Sequence, residues 1–259
     1  FKPTVFVSVP TIYSAILSLP NFYKRYDIRS LRMCISAGEP LPLQTWNTWR
    51  DATEIEILDT IGCTETYHTF MANRPGEVRP GSSGKPIRGY DVRLVDDEGK
   101  DVQAGMIGNL MVRGESTALF YLHQSEKTRH SFRGEWLFTG DQYLQDKDGY
   151  YWHKGRVDDM LKVGGLWVSP MEIEEVLSGH DSVADCAVVG HYDNAGLLKP
   201  KAFVCLRNGV EPSDELFEQL VKLCAKTLDA HKRPRWLEFN NDLPRTSTGK
   251  LQRFKLREQ

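Results

Sequence analysis

The pattern of hydrophobic and polar positions in the first part of the chain alternates between strand-like and helix-like segments. Three short apolar runs rich in β-branched residues alternate with two segments whose apolar residues have helical spacing, including Trp46 and Trp49. The predicted strands are residues 4–9, 31–36 and 56–59, and the predicted helices are residues 11–19 and 43–52. Strands that alternate with helices in this way predict a parallel sheet.

The middle of the chain, about residues 81–153, has a different pattern of hydrophobic and polar residues. Its short β-type runs are separated by glycine-containing pairs, which is typical of hairpins. The predicted strands are residues 91–95, 109–113 and 150–152, and the turn pairs are Glu98-Gly99, Arg113-Gly114 and Asp148-Gly149. This pattern predicts a small antiparallel sheet or barrel.

The last part of the chain predicts a separate small domain of helices and strands. A helix over residues 214–230 carries Leu216, Leu220, Cys224 and Leu228 at a strict spacing of four. A second helix covers residues 171–177, and the strands cover residues 185–189, 201–206 and 236–239. We expect one domain over residues 1–157, divided at about residue 75 into parallel and antiparallel parts, and a second over residues 158–259.

A polar, glycine-rich segment over residues 155–174 precedes the helix at residue 171. Its residues Ser169-Pro170-Met171-Glu172 have the form of a capping box with proline at the first helical position. Taken alone, the segment predicts a solvated loop that leads into a well-defined helix start.

Composition narrows the possible functions without identifying one. The 259 residues carry a net charge of −2, which gives no electrostatic argument for binding nucleic acid or an anionic membrane. No apolar run approaches the roughly 20 residues of a membrane span. The five cysteines are scattered and match neither a zinc site nor a disulfide framework. A reduced, cytoplasmic setting is therefore expected.

Two polar segments directly follow predicted strands of the parallel sheet, at the edge where ligands of such sheets bind. They are residues 36–39 (SAGE) and 61–65 (IGCTE). The hydroxyl of Thr64 could bond a phosphate oxygen, and the carboxylate of Glu65 could hold Mg²⁺. Each feature alone is also what a solvated turn would show.

Other candidate segments give weaker signals on their own. Residues 138–141 (FTGD) predict a tight turn that presents the carboxylate of Asp141. Residues 81–84 (GSSG) lack the Gly-Lys-Ser/Thr ending of a phosphate-binding P-loop, because Pro86 follows Gly84 and Lys85, and they predict an ordinary turn. His68, in an apolar run, is more simply explained as a core residue. No G-x-S-x-G elbow supports a serine hydrolase.

Seven segments taken in order form a more specific pattern. SAGE, IGCTE, GSSGKP, GNLMVRG, FTGD, GRVDDMLKVGG and LPRTSTGKLQR succeed one another along nearly the whole chain. This order resembles the adenylate-forming (AMP-binding) superfamily of acyl- and aryl-CoA synthetases. The segments CTETYHTFMANRPGEVRPG and DDMLKVGGLWVSPMEIE, and the KRPRW sequence at residues 232–236, most resemble the benzoate-CoA ligase family.

The resemblance implies an α/β fold in three parts: the end of a large parallel-sheet N-terminal domain, a small antiparallel β subdomain, and a small mobile α+β C-terminal domain. It also implies a two-step ligase. An aromatic carboxylic acid first reacts with ATP, assisted by Mg²⁺, to give acyl-AMP and pyrophosphate. Coenzyme A then displaces AMP to form a thioester.

The resemblance also implies roles for individual residues. Lys250 matches the catalytic lysine, Thr64 the phosphate contact, and Glu65 the residue associated with Mg²⁺. Asp158 matches the hinge of the small domain, and His68 and Ala37 match the acid pocket. The residues implied in binding nucleotide or coenzyme A are Ser36, Ala37, Gly38, Glu39, Asp59, Gly62, Asp141, Arg156, Gly164 and Gly165.

The superfamily's upstream Ser/Thr/Gly-rich phosphate loop, which ends in Pro-Lys, does not occur in this sequence, so the resemblance covers the C-terminal half of such enzymes. Alternatives therefore stay open: a medium-chain or other acyl-CoA synthetase, an adenylation domain that loads a carrier protein, or an inactive nucleotide-binding fragment. The oligomeric state is not indicated by the sequence.

Overall fold

The computed structural model describes residues 2–246 and 251–257 of the chain. It divides into two compact units, Phe1–His153 and Lys154–Gln259. The movable domain boundary expected between residues 157 and 158 stays a prediction.

The first unit begins with a five-stranded sheet whose order is β1-β2-β3-β4-β5. The strands are β1 (Val5–Ser8), β2 (Met33–Ser36), β3 (Ile57–Gly62), β4 (Thr69–Ala72) and β5 (Lys85–Pro86). The helices are α1 (Pro10–Leu17), α2 (Phe22–Arg25) and α3 (Leu43–Thr53). Because β1, β2 and β3 are parallel, the predicted parallel arrangement is confirmed; β4 and β5 add antiparallel neighbours that the pattern did not reveal.

An aromatic cluster fixes α1 and α3 against this sheet. The ring of Trp49 lies 4.9 Å from the ring of Tyr13 and 5.5 Å from that of Phe22. The indole N–H of Trp46 donates to the carbonyl of Ile57 over 2.9 Å, so its polar edge is satisfied although the side chain is buried. The pair of tryptophans noted in the sequence is thus the core of this layer.

An antiparallel sheet completes the first unit, with the order β10-β9-β7-β6 and β8 beside β9. Its elements are β6 (Tyr90–Val95), β7 (Ile107–Gly114), α4 (Ser125–Ser131), β8 (Phe132–Arg133), β9 (Trp136–Gln145) and β10 (Tyr151–Arg156). The expected tight turn at residues 138–141 is wrong, because these residues lie inside β9. They form a bulge there, where the register with β7 shifts between Asn109 and Met111.

The second unit is a three-stranded sheet with a different cover on each face. Its elements are β11 (Leu161–Val163), β12 (Leu166–Val168), α5 (Pro170–Ser178), β13 (Val183–Tyr192), β14 (Leu198–Leu206), α6 (Asp214–Thr227), β15 (Trp236–Phe239) and α7 (Arg253–Leu256). One face packs against α5 and α6 through residues such as Val188, Ile173 and Leu220. The other face packs through Phe203 against Leu243 and Leu256. These two residues belong to the part of the chain that follows β15, which is called the C-terminal segment below.

Two local expectations for this unit need correction. Helix α6 ends at Thr227 rather than residue 230, because Leu228 has an extended backbone. Ser169 occupies the N-cap of α5 but makes no capping bond; its hydroxyl donates to the carbonyl of Lys154 instead. Glu172, the other half of the expected box, pairs with Lys232 over 2.7 Å.

The mixed α/β fold expected from the sequence is therefore confirmed. Within the described part of the chain, every helix falls short of the length and hydropathy required of a membrane span.

We predict that Leu220→Ala will lower the free energy of unfolding of the second unit by about 3 kcal/mol, since the side chain is fully buried between α6 and the sheet. The matched control is Val221→Ala, the next residue of α6, which is 44% exposed. Denaturation in urea, with hydrogen exchange of β13 and β14 as the local probe, measures both. Equal effects of the two substitutions would contradict this packing.

Candidate functional site

Polar residues lie side by side on the three parallel strands, at the point where their parallel pairing ends. Ser8 of β1 lies opposite Ser36 of β2, and Ser36 lies opposite Asp59 of β3. Residues in register on neighbouring strands project from the same face of a sheet. The structure therefore brings Ser36 and Asp59, both predicted site residues, together at the carboxyl edge of the sheet, where open α/β folds bind ligands.

The carboxyl group of Asp59 is buried in this row. Burial raises its pKa from 3.8 to about 8, although backbone hydrogen bonds at Thr60 and Leu41 favour the charged form. The residue is 7% exposed, so water does little to stabilise its charge. Asp59 is thus a carboxyl group whose protonation changes near neutral pH.

A buried amide, which the sequence pattern did not identify, supports this edge. Asn73 donates from Nδ2 to the carbonyl of Asp59 over 3.1 Å and to the carbonyl of Ser82 over 2.7 Å. Its side-chain oxygen accepts the backbone N–H of Arg79 over 3.0 Å. Asn73 therefore ties the end of β3 to the turn at residues 79–82.

Gly62 allows the chain to fold back closely after β3. A β-carbon at this position would lie 2.3 Å from the carbonyl oxygen of His68, which is far inside van der Waals contact. The close approach belongs to the short helical turn Thr64–Thr66, whose last hydroxyl donates to the carbonyls of Cys63 and His68. Any residue other than glycine would collide with the backbone of His68 and Thr69.

Glu65 is held in one orientation by a distant loop. Its carboxylate accepts a hydrogen bond from the hydroxyl of Tyr121 over 2.5 Å, and its carbonyl accepts the backbone N–H of Ala118 over 2.7 Å. Burial pushes the pKa of Glu65 upward, but the bond from Tyr121 and the nearby charge of Lys127 help to outweigh it, and the pKa lies below its ordinary value. Glu65 is therefore an ionised, oriented carboxylate.

Tyr121 is itself constrained, and the sequence pattern did not identify it. Burial and the bond to Glu65 raise its pKa to about 12, so it remains a donor at neutral pH. Its backbone N–H donates to the hydroxyl of Thr128 over 3.0 Å, and its ring packs edge-on against Phe132. The ammonium of Lys127 lies 4.1 Å from the centre of that ring.

The other predicted residues of this edge lie on the loops around it. Ala37 and Glu39 are partly buried after β2, whereas Gly38 and His68 are exposed. His68 immediately precedes β4, which runs antiparallel to β3, so it lies at the same edge of the sheet. The shared acid pocket of His68 and Ala37 stays a prediction.

A buried tyrosine links the strand ends to Asp141. Burial, the charge of Asp141 and, more weakly, the charge of Asp59 push the pKa of Tyr143 well above its ordinary value. The hydroxyl of Tyr143 lies 3.0 Å from that of Ser83, and Nε2 of His153 lies 3.8 Å from a carboxylate oxygen of Asp141. Asp141 and Asp59, both predicted site residues, thus both raise the pKa of Tyr143. The sequence pattern did not identify this tyrosine.

The edge carries polar atoms that suit a bound nucleotide. Among the described residues, Ser36 Oγ, Glu39 Oε1 and Asp59 Oδ1 are buried without a hydrogen-bond partner. Buried polar atoms are normally paired, so these are ready to bond the amino group and hydroxyls of an adenosine. The residues present therefore fit the nucleotide implied by the sequence.

Any cation at this edge would depend on the nucleotide for its ligands. No group of three or more His, Cys, Asp or Glu side chains that could hold a metal occurs within the described part of the chain. Glu65 would then contribute one carboxylate, and phosphate oxygens and water would supply the other ligands, as is usual for Mg²⁺.

The remaining predicted residues belong to the second unit. Gly164 and Gly165, with φ of +58° and +87°, form the two-residue turn between β11 and β12, a conformation that strongly favours glycine. No atom lies within 4 Å of where their β-carbons would be, so the turn is open. Arg156, the last residue of β10, and Asp158, in the turn after it, are exposed. Lys250 lies outside the described residues.

An open groove of about 430 Å³ lies beside the glycine turn in this unit. The residues that line it are Val163, Gly164, Leu166, Asp193, Lys199, Pro200, Ala230, His231, Arg233, Pro234 and Arg235. Three of these are permanently cationic and one is acidic, so the groove favours an anionic ligand. Sequence reasoning did not find it, because its basic residues come from separate segments.

Family comparisons cover most of the chain. Residues 1–122 match the family described as AMP-binding enzyme, and residues 172–250 match the family described as AMP-binding enzyme C-terminal domain.

The chain is similar to aryl-CoA ligases along its whole length. It is 46% identical to the benzoate–CoA ligase of Thauera aromatica, covering 99% of this chain and 49% of that protein. It is 55% identical to the structure of the anthranilate CoA ligase AuaEII in complex with anthranoyl-AMP, with a TM-score of 0.93, covering 100% of this chain and 50% of the other. It is 45% identical to the structure of a benzoate CoA ligase from Burkholderia xenovorans LB400, with a TM-score of 0.91, covering 99% of this chain and 51% of the other. The chain therefore spans about half the length of these relatives.

We predict that Asp59→Asn will make the stability of the first unit less dependent on pH. Between pH values of about 4 and 8, the unfolded state has lost the proton of Asp59 while the folded state keeps it, so the wild type loses stability as pH rises. Asparagine cannot ionise. The advantage of the variant should grow by more than about 1 kcal/mol from about pH 5 to about pH 8.

Thermal denaturation across this pH range measures the effect. Asp51→Asn, which removes an exposed carboxylate of α3, is the control and should change stability little at either pH. A pH-independent difference between wild type and Asp59→Asn would show that Asp59 is not a buried, titrating carboxyl group.

Proposed function

Because this chain belongs to the AMP-binding enzyme family, we propose that it serves an ATP-dependent ligase that converts an aryl acid of the benzoate type into its CoA thioester. The observation that carries the proposal is the row of buried, unpartnered polar atoms at the carboxyl ends of β2 and β3. The likeness to aryl-CoA ligases over 99% or more of the chain supports the reaction class. The activity belongs to the full open reading frame that contains this sequence.

The proposed reaction has two steps. In the first, a carboxylate oxygen of the acid attacks the α-phosphorus of ATP, and the bond to pyrophosphate breaks to leave acyl-AMP. In the second, the CoA thiol attacks the acyl carbon, its proton is lost, and AMP leaves. The first step brings an anion to an anion, so positive charge and oriented dipoles at the phosphates should dominate catalysis.

The strand-end residues take the nucleotide roles in this proposal. Ser36, Glu39 and Asp59 bind adenosine through their unpartnered atoms, and Asp141 and Arg156 hold the ribose. Thr64 bonds a phosphate oxygen, and Glu65, oriented by Tyr121, accepts Mg²⁺. The cation, when bound, neutralises phosphate charge. Lys250 bridges the acid and the α-phosphate.

The cationic groove supports CoA, rather than a carrier protein, as the acceptor. CoA carries three phosphate groups, and Lys199, Arg233 and Arg235 offer charges that match them. The open turn at Gly164 and Gly165 lies beside the groove, where a pantetheine arm can pass close to the backbone. A carrier protein presents its arm from a protein surface and does not need this charge.

The substrate is proposed to be a planar aromatic acid. Relatives named for benzoate and for anthranilate are similarly close, so an unsubstituted or an ortho-amino benzoate fits the comparisons best. His68 and Ala37 would line the part of the acid pocket that this chain supplies. The five free cysteines suit a reducing compartment, and we propose a cytoplasmic location.

We predict that the full open reading frame releases pyrophosphate from ATP with benzoate or 2-aminobenzoate, and forms the aryl-CoA when CoA is added. Lys250→Ala should slow acyl-AMP formation by at least about a hundredfold, because it removes the charge at the α-phosphate. It should leave thioester formation from preformed aryl-AMP largely intact.

The panel should include an aliphatic acid, and Lys255→Ala serves as the control, since Lys255 is an exposed lysine of the same segment. Preference for the aliphatic acid would favour a general acyl-CoA synthetase. Transfer to a carrier protein but not to CoA would favour a loading domain. No pyrophosphate release with any acid would refute the proposed activity.

We predict that Lys199→Met combined with Arg235→Met raises the KM for CoA by about tenfold or more, because each side chain loses a charge-assisted contact with a phosphate. The KM values for ATP and for the acid should change little. Lys226→Met, on the exposed face of α6, is the control. An unchanged KM for CoA would remove the groove from the proposal.

A further inference from the structure

A largely buried arginine, Arg253, bonds the C-terminal segment to α5 and to the turn that contains Asp158 and Asp159. Arg253 of α7 donates from Nη2 to both carboxylate oxygens of Glu174, over 2.9 and 2.8 Å, and from Nε to one of them over 3.3 Å. Its third nitrogen, Nη1, lies 3.4 Å from a carboxylate oxygen of Asp159. The side chains of Arg253 and Glu174 are only 20% and 14% exposed. Planar, two-point pairing of this kind fixes direction as well as distance.

A second arginine reaches the proposed hinge residue itself. Arg257 donates to a carboxylate oxygen of Asp159 over 2.6 Å and to the backbone carbonyl of Asp158 over 3.0 Å. Asp159 therefore receives both arginines, one on each carboxylate oxygen. The peptide unit between residues 158 and 159 is therefore held at two points. Arg257 bonds its carbonyl oxygen, and both arginines bond the side chain of Asp159.

The contacts on the other side of Asp158 are different in kind. The backbone N–H groups of Asp159 and Met160 both donate to the carbonyl of Arg156, each over 3.0 Å. These bonds span Asp158, so a large rotation about its φ or ψ must break them. Rotation about either bond leaves the Asp158 carbonyl with residue 159, because the peptide unit is planar. The arginine contacts therefore survive such a rotation.

From this asymmetry we propose that Arg253 and Arg257 are positioning residues that clamp the peptide unit after Asp158, confine the hinge rotation to φ and ψ of that one residue, and make the C-terminal segment turn with it. The proposal rests on the hinge role of Asp158 in the proposed function. A hinge absorbs its motion in the dihedral angles of a few residues, and a clamp on one side determines which residue is the last to rotate.

The C-terminal segment is built to transmit this constraint. Leu243 and Leu256 are buried against the sheet of the second unit, and Gln252 N–H donates to the carbonyl of Pro244 over 2.8 Å. A β-bridge pairs Arg245 with Leu251, the residue that follows Lys250 in the sequence. The residues on either side of Lys250 in the sequence, Arg245 and Leu251, are thus paired with each other within the segment that packs on the sheet and carries the two arginines.

The test is Arg257→Met in the full open reading frame, followed by hydrogen exchange and by the two half-reactions. We expect amides of residues 157–161 to exchange about tenfold faster, because a charge-assisted bond to the hinge is lost, while β13 and β14 exchange as before. Both half-reactions should lose about tenfold in kcat with KM values for ATP and CoA changed less than about twofold, which is the signature of lost positioning. Arg257→Lys should restore most of both.

Arg207→Met is the matched control, since Arg207 is an exposed arginine of the same unit that also donates to a backbone carbonyl, that of Asp181. Unchanged exchange at residues 157–161 in Arg257→Met would overturn the clamp, and so would equally faster exchange in β13 and β14, which would indicate a purely structural role. If the wild type forms no acyl-AMP, the proposed function fails, and the exchange pattern still decides whether the clamp exists.

Discussion

The buried carboxyl group of Asp59 is the constraint around which the first unit is arranged. Burial disfavours the charged form of this group and raises its pKa to about 8, although backbone hydrogen bonds at Thr60 and Leu41 favour the charged form. Asn73 bonds the backbone carbonyl of Asp59, and Ser36 lies in register beside it. Buried polar atoms are normally paired, so the unpartnered atoms of this row support the proposed nucleotide site.

The orientation of the proposed site residues depends on contacts between segments that are distant in sequence. Glu65 sits on a short turn made possible by Gly62, yet its direction is set by Tyr121. Asp141 lies in a bulge of β9 and acts on the same buried tyrosine, Tyr143, as Asp59. The first unit therefore supplies a preorganised set of dipoles and charges, which is the property that electrostatic catalysis of phosphoryl chemistry requires.

The second unit combines a rigid interior with two open features. Its sheet is covered on both faces, by α5 and α6 on one and by the C-terminal segment on the other. Leu243 and Leu256 of this segment are therefore part of the core, and Arg253 is held by Glu174 in a mostly buried pair. Breaking one partner of such a pair is expected to cost about 3 kcal/mol or more. By contrast, the glycine turn and the cationic groove beside it are open.

Much of this protein is determined by local sequence. The alternation of strand and helix patterns predicted the parallel strands, the spacing of Leu216, Leu220 and Cys224 predicted the buried face of α6, and the ordered motifs predicted the family. Local patterns do this because periodicity records which face of an element is buried. The FTGD turn and the capping box were expected wrongly, because strand pairing and a bond to Lys154 override local preference. Tyr121, Asn73, Tyr143 and the arginine clamp arise only when distant segments meet, since no periodicity encodes a contact between elements far apart in the chain.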